Sequence, residues 1–119
     1  MSSPLVEVRA NEPIPLAQAR ELAILLQTLG DPTRLRIITA LETACVSVGA
    51  IVEATELPQP TVSHHLRILR DRGLVYGERR GAFIYYCLTA DGLRVALDAL
   101  RQLTPTGHRV RWPTTQSPK

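Results

Sequence analysis

Residues 57–75, LPQPTVSHHLRILRDRGLV, decide the fold. Pro58 and Pro60 stand where a helix begins, a place where a missing N–H is harmless and a fixed φ favours entry. Val62, Leu66 and Leu69 then recur at spacings of four and three, laying one apolar stripe along a helix. Gly73 supplies the stop. Away from the stripe lie Thr61, Ser63, His64 and Arg67, hydrogen-bonding groups of short or moderate reach. Such a helix suits the DNA major groove, whose base edges present a distinguishable pattern of donors and acceptors. An ordinary amphipathic surface helix has the same periodicity, so the flanking segments must decide between the two.

Upstream, Ser47 is a good N-cap for a short helix to Thr55, with Val48, Ile51 and Val52 as its apolar face. Thr55 to Gln59 forms the turn, and two helices so tightly joined follow the helix-turn-helix plan. Downstream, Leu74–Arg79 and Phe83–Leu88 are rich in β-branched and aromatic residues. Arg80-Gly81-Ala82 joins them as a hairpin, a wing directly after the recognition helix. Arg79 and Arg80 at its tip are placed to meet phosphate, which gives affinity rather than sequence reading.

Residues 29–89 resemble the winged-helix domain of the ArsR/SmtB family of bacterial transcriptional repressors. The matching pieces are Leu29-Gly30-Asp31-Pro32-Thr33-Arg34-Leu35-Arg36-Ile37, Gln59-Pro60-Thr61-Val62-Ser63-His64-His65-Leu66, Leu69-Arg70-Asp71-Arg72-Gly73-Leu74-Val75 and Tyr85-Tyr86-Cys87-Leu88. Each is weak alone, and all four stand in order at the family's spacing. The resemblance implies a homodimeric repressor on a double-stranded DNA operator with an inverted repeat, released by a metal, metalloid, oxidant or other small effector. The candidate DNA contacts are Gln59, Thr61, Ser63, His64, Arg67, Arg79 and Arg80. His65, at the edge of the buried stripe, reads as a bridge to a neighbouring helix.

The remaining segments frame this domain. Residues 1–15 carry three prolines and no period, and are expected to form a flexible arm. Leu16 to Leu29 repeats apolar residues in a broad helical stripe. Pro32 to Leu41 is a second helix, with Asp31 as N-cap and Leu35, Ile38 and Leu41 turned inward. Thr89 is expected to cap a last helix to about Leu103, after which residues 104–119 form a basic flexible tail. The expected architecture is therefore mainly α with a small β-hairpin wing, a winged helix-turn-helix over residues 16–103. The first and last helices carry more apolar surface than so small a core can bury. In the resembled family they pack against their copies, which implicates Leu22, Leu25, Leu26, Leu93, Leu97 and Leu100 in a dimer interface; capping of the monomer core is the alternative.

Sensing is less legible. The family's Cys-Val-Cys metalloid site falls on Ser47 and Gly49, which offer no thiolate. Its zinc site on the last helix needs an Asp-x-His pair, whereas Asp91 is followed by Gly92 and Leu93. None of the family's usual metal sites is therefore present, and His108 and Trp112 in the tail have no evident partners. Cys45 and Cys87 are what remain, a candidate thiol-redox or soft-metal pair. In the resembled fold they lie on strands that pair, but strand alternation leaves their orientation open. The competing reading makes them small half-buried hydrophobes.

Composition bounds the answer. The chain has 119 residues, 45% of them hydrophobic, and a net charge of +3. That is one domain with a modest core. No apolar run reaches the ~18 residues of a membrane helix, and the first fifteen residues lack the pattern of a signal peptide. A cytoplasmic protein is expected, with its two cysteines as free thiols rather than a structural disulfide. Five arginines stand against two acids within residues 64–80, a basic patch on the suspected DNA side. No nucleophile–base pair, phosphate-binding glycine loop or carboxylate pair suggests an enzyme. A winged-helix protein-interaction module without specific DNA binding, and a DNA-binding regulator without an effector, remain the alternatives.

Overall fold

A computed structural model describes residues 8–104 of the chain. Five helices and three short strands follow in the order α1 (Leu16–Leu29), α2 (Pro32–Thr39), β1 (Val46–Ser47), α3 (Val48–Thr55), α4 (Gln59–Asp71), β2 (Val75–Arg80), β3 (Phe83–Leu88) and α5 (Asp91–Arg101). The strands form one antiparallel sheet in the order β1-β3-β2. This is the expected winged helix-turn-helix. Residues 8–15 adopt no regular structure and are exposed. Trp112, His108 and the rest of the expected tail beyond Thr104 lie outside the described residues.

Local chemistry sets the boundaries. The Asp31 carboxylate accepts from the Arg34 backbone N–H at 3.0 Å and opens α2, with Pro32 in the first turn; Ser47 does the same for α3 through the Ala50 N–H. At the end of α4, Gly73 adopts φ 77°, and the N–H groups of Gly73 and Leu74 return to the carbonyls of Arg70 and Leu69. This closes the helix as a Schellman-type stop. The wing turns at Gly81-Ala82. Gly81 has φ 64° and Ala82 has no positive φ, the pattern of a type II′ hairpin with glycine first.

The core is built from Ile37, Ile38, Leu41, Ile51, Val62, Leu66 and Leu69, all essentially inaccessible, with Leu29, Leu74, Val75 and Leu97 around them. Val62, Leu66 and Leu69 are the expected stripe of α4. Three expectations need correction. The α2 pattern turns Leu35 inward, yet it is 37% exposed and Ile37 is buried instead, because α2 is packed by α1, α3 and α4 together and buries two consecutive isoleucines. The last helix is capped by Ala90 rather than Thr89, with no side-chain cap bond. Leu97, assigned to a dimer interface, is 2% exposed and belongs to the protomer's own core.

Candidate nucleic-acid interface

Two arginines of α2 seat the helix-turn-helix. The Arg34 guanidinium donates through Nε to the Thr28 carbonyl at the end of α1 (2.6 Å) and meets His65 Nδ1 on α4 at 3.4 Å. Arg36 donates to the Thr55 carbonyl, which closes α3, at 3.1 Å. His65 is thus the bridge that its position suggested. A hydrogen bond from this cation requires Nδ1 as acceptor, the arrangement of a neutral imidazole protonated on Nε2. Burial pushes the His65 pKa below 6.5, with Arg34 and His64 adding to the effect and Asp31 opposing it. Arg34 and Arg36 were not recognised as seating residues from sequence. Each binds the carbonyl of another helix, Thr28 six residues back and Thr55 nineteen residues on, and residue type carries no trace of that.

The turn between α3 and α4 hinges on Glu56, the one described non-glycine residue with positive φ (60°). The Thr55 hydroxyl donates to the Ile51 carbonyl and accepts from the Leu57 N–H, which fixes the turn from within.

On α4, His64 and Arg67 lie opposite the buried stripe and are exposed, as is Gln59 at the entry. Thr61 and Ser63 are half-buried, because the 3.6-residue period places them on the flanks of the outward face rather than at its centre. The rings of His64 and His65 meet edge to face at 5.2 Å. Among the described residues Arg67 has no acidic partner, whereas Arg70 pairs with Asp71 at 3.6 Å. The first strand of the wing packs against α4. At its tip the Arg79 guanidinium reaches only the Gly81 carbonyl, at 3.4 Å. Arg80 pairs with Glu78 at 3.2 Å and lies over the Tyr85 ring at 5.1 Å.

The six leucines assigned to a dimer interface divide. Leu22, Leu26 and Leu100 are 45%, 51% and 44% exposed, Leu25 and Leu93 are half-buried against the core, and Leu97 is inside it. An apolar groove of about 490 Å³ runs between α1, α2 and α5, bordered by Leu26, Leu35, Leu97 and Leu100.

Cys45 and Cys87 are brought together and joined as a disulfide with Cα atoms 4.3 Å apart. This corrects the expectation of free thiols, and it settles the orientation that strand alternation had left open. A sulfur engaged in this bond offers no thiolate to a soft metal. Among the described residues, no group of three or more His, Cys, Asp and Glu side chains is placed to hold a metal ion.

Residues 31–76 match the family model described as bacterial regulatory protein, arsR family. Over 80 residues, 67% of each chain, the sequence is 41% identical to the HTH-type transcriptional regulator NmtR of Mycobacterium tuberculosis. Among solved structures, HlyU from Vibrio cholerae superposes with a TM-score of 0.71 at 26% identity, covering 77% of this chain and 100% of that one. The homodimeric winged helix-turn-helix DNA-binding domain Mb0332 from Mycobacterium bovis gives 0.66 at 27% identity, over 71% and 79% of the two chains.

Proposed function

The chain belongs to the arsR family of bacterial regulatory proteins, and we propose that it is a homodimeric, sequence-specific DNA-binding repressor that an effector releases. The observation that carries this reading is the outward face of α4. It offers Gln59, His64 and Arg67 to solvent, Arg67 has no competing carboxylate among the described residues, and Arg34 and Arg36 hold the helix and its neighbour in place. Gln and Arg side chains are suited to bidentate contacts with adenine and guanine edges. Arg79 and Arg80 then supply phosphate contacts from the wing.

The dimer rests on Leu22, Leu26 and Leu100, whose exposure leaves an apolar face that a second copy would cover. A two-fold dimer presents two recognition helices to an inverted repeat with half-sites about 34 Å apart. The relatives found are transcriptional regulators rather than enzymes. No described helix is long and apolar enough to cross a membrane.

Fluorescence anisotropy on duplex DNA from upstream of the protein's own coding region, against a scrambled duplex, tests the reading. Tight binding to one sequence with a steep salt dependence is expected. Binding to neither duplex would favour the protein-interaction module instead.

A further inference from the structure

Cys45 directly precedes β1, and the last residue of β1, Ser47, is the N-cap of α3. The register pairs Val46 with Tyr86 and Ser47 with Tyr85, so one step back along the antiparallel pair sets Cys45 opposite Cys87. On its other side Cys87 is paired with Tyr76 of β2. The bond therefore ties the start of the helix-turn-helix to the base of the wing. β1 has only two residues, so the crosslink adds a covalent restraint where α3 begins, beside the Ser47 cap and the burial of Ile51 in the core. The two cysteines are also unequally exposed: Cys87 is 4% exposed, whereas Cys45 is half-buried at the sheet edge.

We propose that Cys45–Cys87 is a thiol–disulfide exchange site, reduced and re-oxidised by low-molecular-weight thiols and their disulfides, and that its redox state sets DNA affinity. The inference rests on the DNA-binding reading above. An incoming thiolate attacks Sγ of Cys45, the more exposed of the two residues. A mixed disulfide forms there, the Cys45–Cys87 bond breaks, and Cys87 leaves as a thiolate that takes up a proton from solvent, since burial disfavours the charge. A second thiol attacks the mixed disulfide, releases the oxidised small disulfide and leaves Cys45 reduced. Two thiols are oxidised and one protein disulfide is reduced; re-oxidation runs the same steps in reverse. Unbonded sulfurs need van der Waals separation, so reduction spreads β1 from β3 and frees the start of α3, which packs on α4. The disulfide form is the preorganised one and binds DNA more tightly.

The test equilibrates the full chain in mixtures of reduced and oxidised glutathione. Mass spectrometry reads the disulfide through its two-proton mass difference, and anisotropy reads the affinity for one duplex. Reduction is expected to weaken binding at least about fivefold, the lower end of ordinary coupling between sites. It should also lower the melting temperature by roughly 10 °C, because the crosslink closes a long loop of the unfolded chain. Cys45→Ala should bind with the reduced affinity in every mixture. Cys87→Ala, which keeps an apolar group in the buried position, should match it. Equal affinity of both redox forms, or thiols that stay reduced in excess oxidised glutathione, overturns the switch while leaving DNA binding intact. Absence of binding to any duplex in both forms overturns the DNA reading, and the switch with it.

Discussion

Arg79→Ala isolates the contribution of the wing. Arg79 carries no carboxylate partner among the described residues; its guanidinium is held only by the Gly81 carbonyl. Arg80 beside it is already half-neutralised by Glu78 and stacked on Tyr85. Arg79 is therefore the wing cation free to neutralise a phosphate. Each neutralised phosphate contributes about 0.9 to the slope of log K against log salt. Two copies of Arg79 in a dimer make the expected loss about 1.8. Over a fourfold rise in salt, from 50 to 200 mM, the advantage of wild type over the variant should then shrink about 12-fold. Anisotropy titrations across that range, on specific and scrambled duplexes, should give the same change on both, because phosphate contacts carry no sequence. Arg67→Ala in the same assay should behave in the opposite way. It should lose about 1–3 kcal/mol on the specific duplex and little on the scrambled one, with a smaller change in slope. An Arg79→Ala slope equal to wild type would remove the wing from the phosphate backbone. Equal loss on both duplexes for Arg67→Ala would remove that residue from base reading.

Leu26→Asp and Leu100→Asp should leave the protomer folded and abolish the dimer in sedimentation, since both side chains are about half exposed in a single copy. Leu97→Ala, 2% exposed, should instead cost about 2–5 kcal/mol of stability by emptying core volume; a variant that melts like wild type would contradict its placement. Acid should act through His65. Its pKa is lowered in the fold, so the unfolded chain takes up the proton first as pH falls through 6.5. Stability is complete above that value, declines below it, and levels off once the folded form also protonates. Denaturant melts of wild type and His65→Gln between pH 8 and 5 should show the decline in wild type alone. Glu56→Gly should raise stability by roughly 0.5–1 kcal/mol in the same melts, because a residue with a Cβ is strained at φ 60° and glycine is not; a destabilised variant would mean that the helix-turn-helix needs the side chain.

The recognition helix was legible because its stripe has one period and one neighbouring core. Val62, Leu66 and Leu69 could face only inward, and Gly73 could end the helix with a positive φ. α2 was harder. In eight residues its apolar set is ambiguous, and burial on several sides brings Ile37 and Ile38 in together while Leu35 is left at the surface. α5 shows a different limit. Leu93, Leu97 and Leu100 share a single stripe, and periodicity cannot say where the protomer's own core ends and an outer face begins. The cysteines were legible in position but not in pairing, since one step of register decides whether two side chains meet or point to opposite faces.

The arrangement of ties gives α2 a mechanical role that its surface chemistry conceals. One guanidinium, that of Arg34, holds both the last turn of α1 and the imidazole of α4. A second, that of Arg36, holds the last turn of α3. A displacement of α1 on the exposed leucine face therefore bears on a guanidinium that also contacts the recognition helix. At the other end of the helix-turn-helix, α3 begins three residues after Cys45, and the disulfide ties that start to β3. The reading helix is thus constrained through α1–α2 on one side and through β1–α3 on the other. In the proposed dimer a second copy would bear on the first constraint, and the proposed thiol exchange on the second. Because the Arg34 tie and the disulfide act on opposite sides of α3–α4, Arg34→Ala should weaken the dependence of DNA affinity on dimerisation while leaving its response to glutathione in place.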